Sequence, residues 1–562
     1  MKSYRTLRRW LAAGISLAVL GVVVALVAHR SGPIETAQKA RADEIQAKIS
    51  HAWALFGGSA SRNMVNTLDK NIPFECNVDK GQEKNIKWSA QLGSKSYGGP
   101  IIAGGQVYAG TNNEAPRNPK ITGDKGILMC FKESDGSFLW QAVHDKLASG
   151  IVNDWTREGL CSTPCVEGNR VYYVSNRCEL VCAATHGFLD GKNDGAQDEQ
   201  YKSKLDADFI WRLDMMKELN VFPHNMSACA PLIVGSIIFV VTANGVDEGH
   251  INVPSPKAPS FIAVDKKTGK LLWSDNSPSV ALLQGAGKEA DFKQLVNKGE
   301  LLMHGQWSNP AYAEVNGHPQ VIFPGGDGWL RSFEPATGKL LWKFDCNPKD
   351  SKYELGGRGT RSDFIATPVV YDKKVYIGVG QDPEHYEGVG HLWCIDLEKA
   401  DRLGQTNKDN DVSPRNDNFD PKNPVNKDSA LHWHFGGPVS ADLAAKIGRD
   451  YQFGRTMSTC AIHDGIVYVG ELAGYLHCLD AQTGEEYWNH DLKAAIWGSA
   501  YWVDGKVYIG TEDGDIYVFS HGKEKKVLGK MDMKHAVRST PVVANGVMYI
   551  LTESVLYAIA KP

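Results

Sequence analysis

Apolar and polar residues alternate along most of this chain, and short polar turns containing glycine interrupt the alternation at regular intervals. One eleven-residue phrase carries the pattern: a small residue, an acidic corner, Thr-Gly, two mostly apolar residues and a tryptophan. A period of two predicts β-strands, and glycine supplies the positive φ that a tight hairpin turn requires. Each copy therefore predicts a hairpin ending in a large aromatic residue. The copies run from Ala263 to Trp273, from Ser332 to Trp342, from Cys478 to Trp488 and, more loosely, from Cys130 to Trp140.

A second apolar hairpin precedes each copy and contains an apolar strand such as Lys506 to Gly510. Two hairpins make a four-stranded unit, which is the size of a propeller blade. The sequence therefore predicts an all-β fold, an eight-bladed β-propeller of four-stranded antiparallel blades, together with an N-terminal transmembrane helix. The small residues that mark the eight units are Pro100, Pro164, Pro231, Pro310, Pro368, Cys460, Ala500 and Pro541.

Tryptophans recur at the predicted fourth strand of the blades. Leu528 is expected in the same place in the last full phrase, and Trp88 precedes the first blade marker. The strand near Trp88 is expected to complete the last blade beside Val555 to Ile559, because ring closure removes exposed sheet edges. The tryptophans are Trp88, Trp140, Trp211, Trp273, Trp342, Trp433 and Trp488.

Length and charge narrow the range of functions. A chain of 562 residues would ordinarily suggest several domains, but blades around one axis share a continuous core and count as one domain. The net charge is -4, and the only runs of Lys and Arg lie at the N-terminus and at residues 523–526. Nucleic acid is therefore not expected as a partner.

The N-terminus predicts membrane attachment. Four basic residues precede an uncharged stretch from Trp10 to Ala28, which is long enough to cross a bilayer. The basic residues favour a cytoplasmic N-terminus and an exported, periplasmic or extracytoplasmic body. A signal peptide cleaved after Leu26 to Ala28 is the alternative. The predicted organisation is a membrane anchor or signal at 1–30, a helical stalk at 31–53 and the propeller at 54–562.

Insertions interrupt the repeat. The longest, residues 398–430, is crowded with Asn, Asp, Lys and Pro and has no apolar period, so it is predicted to be a mobile surface loop. Shorter insertions cover residues 190–207, 244–259 and 278–303. Insertions on one rim of a propeller would build a binding face.

The eleven cysteines suggest disulfides in an exported protein, but their positions favour another role. Four of them occupy the place that Ala263 and Ser332 hold in other copies of the phrase, which predicts small core residues. Cys161 and Cys165 would be about 13 Å apart on a strand, beyond the roughly 7 Å that a disulfide allows. The four core cysteines are Cys130, Cys182, Cys394 and Cys478.

The phrase Ala-x-Asp-x-x-Thr-Gly-x-x-x-Trp resembles the repeat of pyrroloquinoline-quinone (PQQ)-type propellers, the quinoprotein alcohol dehydrogenase-like superfamily. The resemblance covers about Ala54 to Ile559. That superfamily includes quinone-dependent dehydrogenases and the non-enzymatic propeller lipoprotein of the outer-membrane β-barrel assembly machine. The stretches Phe56 to Met64, Gly380 to His385 and Ala473 to Cys478 also resemble those of uncharacterised membrane-bound bacterial members.

The resemblance implies what an enzyme of this superfamily would need. Quinone dehydrogenases typically stack the cofactor between a tryptophan and a disulfide of adjacent cysteines, with calcium held by Glu, Asn or Asp and a carboxylate as base. This chain has no adjacent pair of cysteines. No cofactor is therefore expected under the leading hypothesis, and PQQ with calcium belongs to the alternative.

Candidate site residues lie just before the blade markers, where innermost strands begin and face the central channel. Glu158 and Asn225 offer oxygen ligands for calcium, and Trp307 or Trp497 offers a flat face for a ring. The alternatives are a solvated channel lining and salt bridges between the arginines and nearby acids. Arginine forks bind carboxylates, which predicts an anionic ligand or a protein partner at one mouth. The remaining candidates are Arg358, Arg361 and Arg538, with Arg157, His224, His304, Asp363 and Arg455.

Three functions remain open. The leading hypothesis is a membrane-anchored, exported propeller that binds a protein or ligand without catalysing a reaction. The second is a PQQ- and calcium-dependent dehydrogenase that oxidises an alcohol or sugar. The third is a cell-envelope factor for outer-membrane protein assembly, which the lack of a lipid-anchor cysteine weakens.

Overall fold

The computed structural model describes residues 51–562 apart from 251, 280–302, 353–358 and 386. The predicted transmembrane segment, nearly all of the predicted stalk, and Arg358 lie outside these residues. Within the described part of the chain, no helix is both long enough and apolar enough to cross a membrane. Trp53–Pro562 forms one compact unit.

The strands form eight sheets of four antiparallel strands, and one sheet gains a short fifth strand, so the predicted propeller fold is confirmed. We number the blades in the order of their innermost strands. Blades 1 to 4 contain β3 (Ile101–Ala103), β4 (Gln106–Asn112), β5 (Lys125–Lys132) and β6 (Phe138–Asp145); β7 (Cys165–Glu167), β8 (Arg170–Val174), β9 (Glu179–Ala184) and β10 (Phe209–Asp214); β11 (Leu232–Val234), β12 (Ile237–Val241), β13 (Phe261–Asp265) and β14 (Leu271–Asp275); and β15 (Ala311–Val315), β16 (His318–Pro324), β17 (Trp329–Phe333) and β18 (Leu340–Asp345).

The remaining blades follow the same plan. Blades 5 to 8 contain β19 (Val369–Tyr371), β20 (Lys374–Val379), β21 (His391–Asp396) and β22 (Leu431–Gly436); β23 (Ala461–His463), β24 (Ile466–Gly470), β25 (Tyr475–Asp480) and β26 (Glu486–Asp491); β27 (Tyr501–Val503), β28 (Lys506–Gly510), β29 (Asp515–Ser520), β30 (Val527–Asp532) and the added β1 (Val65–Asn66); and β31 (Val542–Ala544), β32 (Val547–Leu551), β33 (Val555–Ile559) and β2 (Ile86–Gln91). The described α-helices are α1 (Met215–Leu219), α2 (Leu397–Gly404) and α3 (Ala441–Ile447), and the described 3₁₀ turns are Gly150–Val152, Pro383–His385, Lys408–Asn410 and Pro424–Asn426.

The ring closes as the sequence predicts. Strand β2 pairs antiparallel with β33, and Trp88 lies opposite Ala558. The N-terminal part of the propeller therefore supplies the outermost strand of the last blade, and β33 is paired on both sides instead of ending that sheet as an unpaired edge.

Tryptophans join neighbouring blades through their indole nitrogens. Trp140 of blade 1 donates to the carbonyl oxygen of Thr185 in blade 2 at 2.8 Å, and Trp433 of blade 5 donates to Ala481 in blade 6 at 2.9 Å. Glycine in the receiving turn lets the ring approach: a Cβ on Gly484 would lie 2.7 Å from the ring of Trp433. The Thr-Gly phrase thus serves both the hairpin turn and the contact between blades.

The small residues of the phrase lie directly across from the tryptophans. Cys130 pairs with Trp140 and Ala263 with Trp273 in the strand register. Cys182, Cys394 and Cys478 occupy the same position in their own blades, opposite Trp211, Trp433 and Trp488. All four of these cysteines are buried and unpaired, so their predicted role as small core residues is confirmed.

Two sequence predictions are wrong. Leu528 does not occupy the tryptophan position, because the turn in blade 7 is one residue longer and Gly529 lies opposite Val518 instead. Phe74 packs there, and a Cβ on Gly529 would lie 2.9 Å from its carbonyl oxygen.

The insertion at residues 398–430 is also not a featureless loop. It contains nearly all of helix α2, whose Leu397, Ala400 and Leu403 are buried in the core of blades 4 and 5. Asp396 caps this helix by accepting a hydrogen bond from the backbone N–H of Lys399 at 2.8 Å, a local signal for a helix start.

Residues 53–66, which we call the collar, run around one end of the channel. The collar hydrogen-bonds to, or just before, the innermost strand of every blade, and these contacts follow the order of the blades except that Arg62 reaches back to blade 3. Its partners are Ile102, Val166, Ala230, Tyr312, Val370, Ile462, Trp502 and Val543.

Arg62 anchors the middle of the collar and is fully buried. Its guanidinium donates to the carbonyl oxygens of Pro310 at 2.8 Å and Ala230 at 3.0 Å on two blades, and to Phe56 at 2.9 Å within the collar. Burial lowers the pKa of Arg62 to about 10.

Candidate ligand site in the central channel

The channel contains a cavity of about 460 Å³, and all eight blades contribute to its wall. Most lining residues come from the segments that lead into the innermost strands, as expected for a propeller axis, and residues 382–384 come from the loop after β20. Phe56 of the collar also lines the cavity, so the collar bounds it at one end. A cavity of this size fits a small organic molecule.

Aromatic side chains form much of this wall. Tyr97, Trp155, Trp307 and Trp497 all line the cavity. The rings of Tyr97 and Trp497 meet edge to face with centroids 6.0 Å apart, and the indole nitrogen of Trp497 donates to Glu512 at 3.1 Å. Trp307 is held by a hydrogen bond of 3.1 Å from its indole nitrogen to the carbonyl oxygen of His224. Both tryptophans are therefore fixed in place and present apolar surface to the cavity.

Oxygen ligands lie in the same wall. Glu158 and Asn225, the predicted calcium candidates, both line the cavity, together with Asp382 and Glu384. Oε2 of Glu158 is buried and has no hydrogen-bond partner in the described structure. The amide of Asn225 donates to Glu384 at 3.0 Å, and burial, reinforced by Asp382, raises the pKa of Glu384.

The predicted arginines do not form an unpaired cationic patch in the described structure. Arg538 lines the cavity but donates to Glu512 at 2.8 Å and to Glu553 at 3.0 Å. Arg361 lies outside the cavity lining and is buried against Asp345, with 3.5 Å between the charged atoms. The alternative that the sequence left open, salt bridges to nearby acids, thus describes both residues.

A cluster of histidines and carboxylates lies against one side of the cavity. His224, His250 and His304 each place one ring nitrogen within 4.8 Å of the others. Nδ1 of His304 lies 3.1 Å from Asp382 and 3.4 Å from Asp363. Burial opposes the charged form of His304, but its interactions with these two carboxylates outweigh that effect and raise its pKa to about 10.

Sequence reasoning identified part of this constellation. Glu158, Asn225, Trp307, Trp497 and Arg538 share one cavity, and their roles in binding stay predictions. Three residues of the site could not be predicted from the repeat because they lie in loops away from the blade markers. Two of them belong to the stretch from Gly380 to His385, whose resemblance to membrane-bound relatives was the available signal. The missed residues are His250, Asp382 and Glu384.

Comparisons with known proteins agree with the fold. The family model PQQ_2, described as outer membrane protein assembly factor BamB, matches residues 204–414 and 425–554, more than half of the chain. A polyvinylalcohol dehydrogenase from a Pseudomonas species is 24% identical over 277 residues, which are 45% of this chain. That match spans only 38% of the curated relative's length.

Two solved structures share the architecture. A europium-containing methanol dehydrogenase has a TM-score of 0.55 at 12% identity, covering 92% of this chain and all of the other. The quinohemoprotein alcohol dehydrogenase from Comamonas testosteroni has a TM-score of 0.54 at 12% identity, covering 92% of this chain and 82% of the other. At this identity the likeness concerns the fold alone.

Proposed function

This chain belongs to the PQQ_2 family, described as outer membrane protein assembly factor BamB, and we propose that it is a propeller that binds a small planar organic molecule on its axis. The ligand would occupy the bounded cavity in the channel. The observation that carries the proposal is the mixed wall of this cavity. Aromatic faces at Trp307 and Trp497 lie in one lining with the carboxylates of Glu158 and Asp382. Such a combination of flat apolar surface and a few polar groups is typical of ligand sites.

The charges of the wall indicate what the ligand carries. Glu158, Asp382 and Glu384 outnumber Arg538, which two carboxylates outside the lining already engage. An acidic wall favours a ligand with hydrogen-bond donors or one that binds together with a cation. An anionic ligand would need such a cation to bridge it to the carboxylates.

A PQQ- and calcium-dependent dehydrogenase is the second candidate, favoured by the unpartnered Oε2 of Glu158. Glu158 and Asn225 would supply oxygen ligands to calcium, and Trp307 or Trp497 would support the quinone ring. The quinone, when bound, would accept the two electrons taken from an alcohol. The other face of the quinone would not be covered by a disulfide of adjacent cysteines, because Cys161 lines the cavity as a free thiol and has no cysteine beside it.

Titration with PQQ in the presence and absence of CaCl₂ tests both candidates. We expect saturable quenching of tryptophan fluorescence that requires calcium and weakens at least roughly tenfold in E158Q, which loses a charged ligand. The matched control is E314Q, outside the cavity lining on β15. Dye reduction that depends on an added alcohol, abolished in E158Q but not in E314Q, would support the dehydrogenase.

Other outcomes separate the candidates. Binding of PQQ without turnover would support the binding function and contradict the dehydrogenase function. If PQQ does not bind, native mass spectrometry of protein purified from its own host decides the binding proposal. A bound small mass that is absent from W307A supports it, and a wild-type mass equal to the bare chain contradicts it.

We further propose that the propeller is exported and tethered by the uncharged stretch from Trp10 to Ala28. The basic residues before that stretch support this orientation. On the basis of the family to which it belongs, we also propose a role for this chain in outer-membrane protein assembly. Cross-linking in intact cells followed by pull-down tests it, and recovery of no outer-membrane protein above a mock sample would contradict it.

A further inference from the structure

We propose that His224, His250 and His304 form a binding site for one divalent transition-metal ion of the zinc class. This site goes beyond the proposed ligand cavity. Calcium takes oxygen ligands, whereas three imidazole nitrogens, with any proton on the ligating nitrogen displaced by the ion, suit zinc and its neighbours in the first transition row.

Two of the imidazoles are oriented by their own hydrogen bonds. Nδ1 of His224 lies 2.9 Å from the carbonyl oxygen of Val246, and a carbonyl only accepts, so Nδ1 carries the proton. Nε2 of His224 therefore presents a lone pair. This nitrogen is buried and has no hydrogen-bond partner in the described structure.

His304 shows the same arrangement with carboxylates as partners. Its Nδ1 faces Asp382 at 3.1 Å and Asp363 at 3.4 Å, so Nδ1 is a donor and Nε2 points away from them. Metal-bound histidines commonly donate their second ring nitrogen to a carboxylate or a backbone carbonyl, and these partners fix the ring and strengthen the ligand. His224 and His304 thus use both kinds of partner.

The spacing of the nitrogens fits one ion. Nε2 of His304 lies 3.5 Å from Nε2 of His250, and the ring centroids of the three histidines are 4.6 to 4.9 Å apart. Two nitrogens bound tetrahedrally at roughly 2.0–2.1 Å from zinc would be about 3.3 Å apart. Three protein ligands leave the fourth tetrahedral position to water or an exogenous ligand.

The fold assembles this cluster from separate loops. His224 precedes β11, His250 lies between β12 and β13, and His304 precedes β15. Both carboxylates belong to blade 5, where Asp363 precedes β19 and Asp382 follows β20. The cluster also adjoins the cavity, because Asp382 lines it and the ring of Trp307 lies 5.4 Å from that of His304.

The test uses the full chain in detergent, with any histidine tag removed and bound metal stripped with EDTA. Titration with ZnCl₂ is expected to show one equivalent bound with submicromolar affinity, unaffected by millimolar calcium. Co²⁺ is expected to give the visible absorption of a four-coordinate nitrogen and oxygen site. No organic ligand is added, so the result is independent of what occupies the cavity.

Variants locate the ion. H250A removes a half-buried ligand and is expected to weaken zinc binding more than roughly 100-fold, and D382N to weaken it about 10- to 100-fold by disturbing His304. H318A changes an exposed histidine outside the cluster and should leave the affinity unchanged. Unfolding midpoints close to wild type show that H250A and D382N are folded. Less than one equivalent of zinc in the wild type, or equal binding by wild type and a folded H250A, would overturn the proposal.

Discussion

The indole nitrogen of Trp88 donates to the carbonyl oxygen of Glu133 at 2.9 Å and thereby joins the last blade of the ring to the first. Trp88 lies on β2, the strand that the N-terminal part of the propeller adds to the last blade. Its side chain also meets the ring of Tyr549 at a centroid distance of 5.9 Å. Closure of the propeller depends on the hydrogen bond from Trp88 to Glu133 as well as on the β2–β33 pairing.

The variant W88A should therefore destabilise the whole ring. Truncation of a buried tryptophan costs about 3–5 kcal/mol, and here the loss falls at the closing seam. The measurement is chemical unfolding followed by circular dichroism. L272A, at a side chain that is 50% exposed, is the control and should change the free energy of unfolding by less than about 0.5 kcal/mol. Equal effects of the two variants would show that the seam does not limit stability.

Arg62 gives a second stability prediction. R62M removes a buried guanidinium that serves carbonyl oxygens on two blades and within the collar, and it leaves those acceptors without their donor. We expect a loss of roughly 2–4 kcal/mol. R62K keeps the charge but not the fork, so it should recover little of the loss. R157A removes an arginine whose side chain is 76% exposed and should behave as wild type.

The repeat explains why so much of the fold could be predicted from the sequence. A small residue opposite tryptophan and a glycine beneath it are local requirements, so Cys130 with Trp140 could be placed without a structure. Leu528 was misplaced because one extra turn residue shifts the register by one position, which the spacing alone does not show. Helix α2 was missed because its apolar face is short and lies among many polar residues.

The site could be predicted only in part. Residues such as Glu158 and Trp307 hold fixed positions relative to the blade markers, so their approach to the axis follows from the repeat. His250 and Asp382 belong to irregular loops of different blades, and their meeting with His304 depends on the path of each loop. The partners of the arginines could not be identified from the sequence, because they lie far away along the chain. Arg538, for example, pairs with Glu512, which precedes it by 26 residues.

The glycines beneath the tryptophans allow a matched test. Gly484 and Gly465 both have φ of 73°, but only at Gly484 would a Cβ collide with a neighbour, the ring of Trp433 at 2.7 Å. G465A should cost about 1–2 kcal/mol for the left-handed backbone alone. G484A should cost a further 1–3 kcal/mol, roughly, because the ring must shift. Urea unfolding of both variants measures the difference, and identical midpoints would refute the role of glycine in joining the blades.

His477 predicts a pH dependence of stability. Nδ1 of this buried residue lies 2.6 Å from Glu486, and Nε2 lies 3.5 Å from Glu471, which also pairs with Arg449. Burial disfavours the charged imidazole, but the interactions with Glu471 and Glu486 outweigh it and raise the pKa of His477 to about 8. The folded state therefore binds the proton more tightly than the unfolded chain, whose histidine has a pKa near 6.5.

Because the pKa of His477 is higher in the folded state, the protein should lose stability as the pH rises. The charged histidine contributes fully below about pH 6.5, and its contribution of roughly 2 kcal/mol is lost as the pH rises through 8. Unfolding midpoints at pH 6 and pH 9 should thus differ more in wild type than in H477Q, which cannot be protonated. H490Q, at a partly exposed histidine whose pKa is lowered by burial and a nearby lysine, should not reduce that difference. If wild type and H477Q lose the same stability between pH 6 and pH 9, the glutamates do not hold a charged His477.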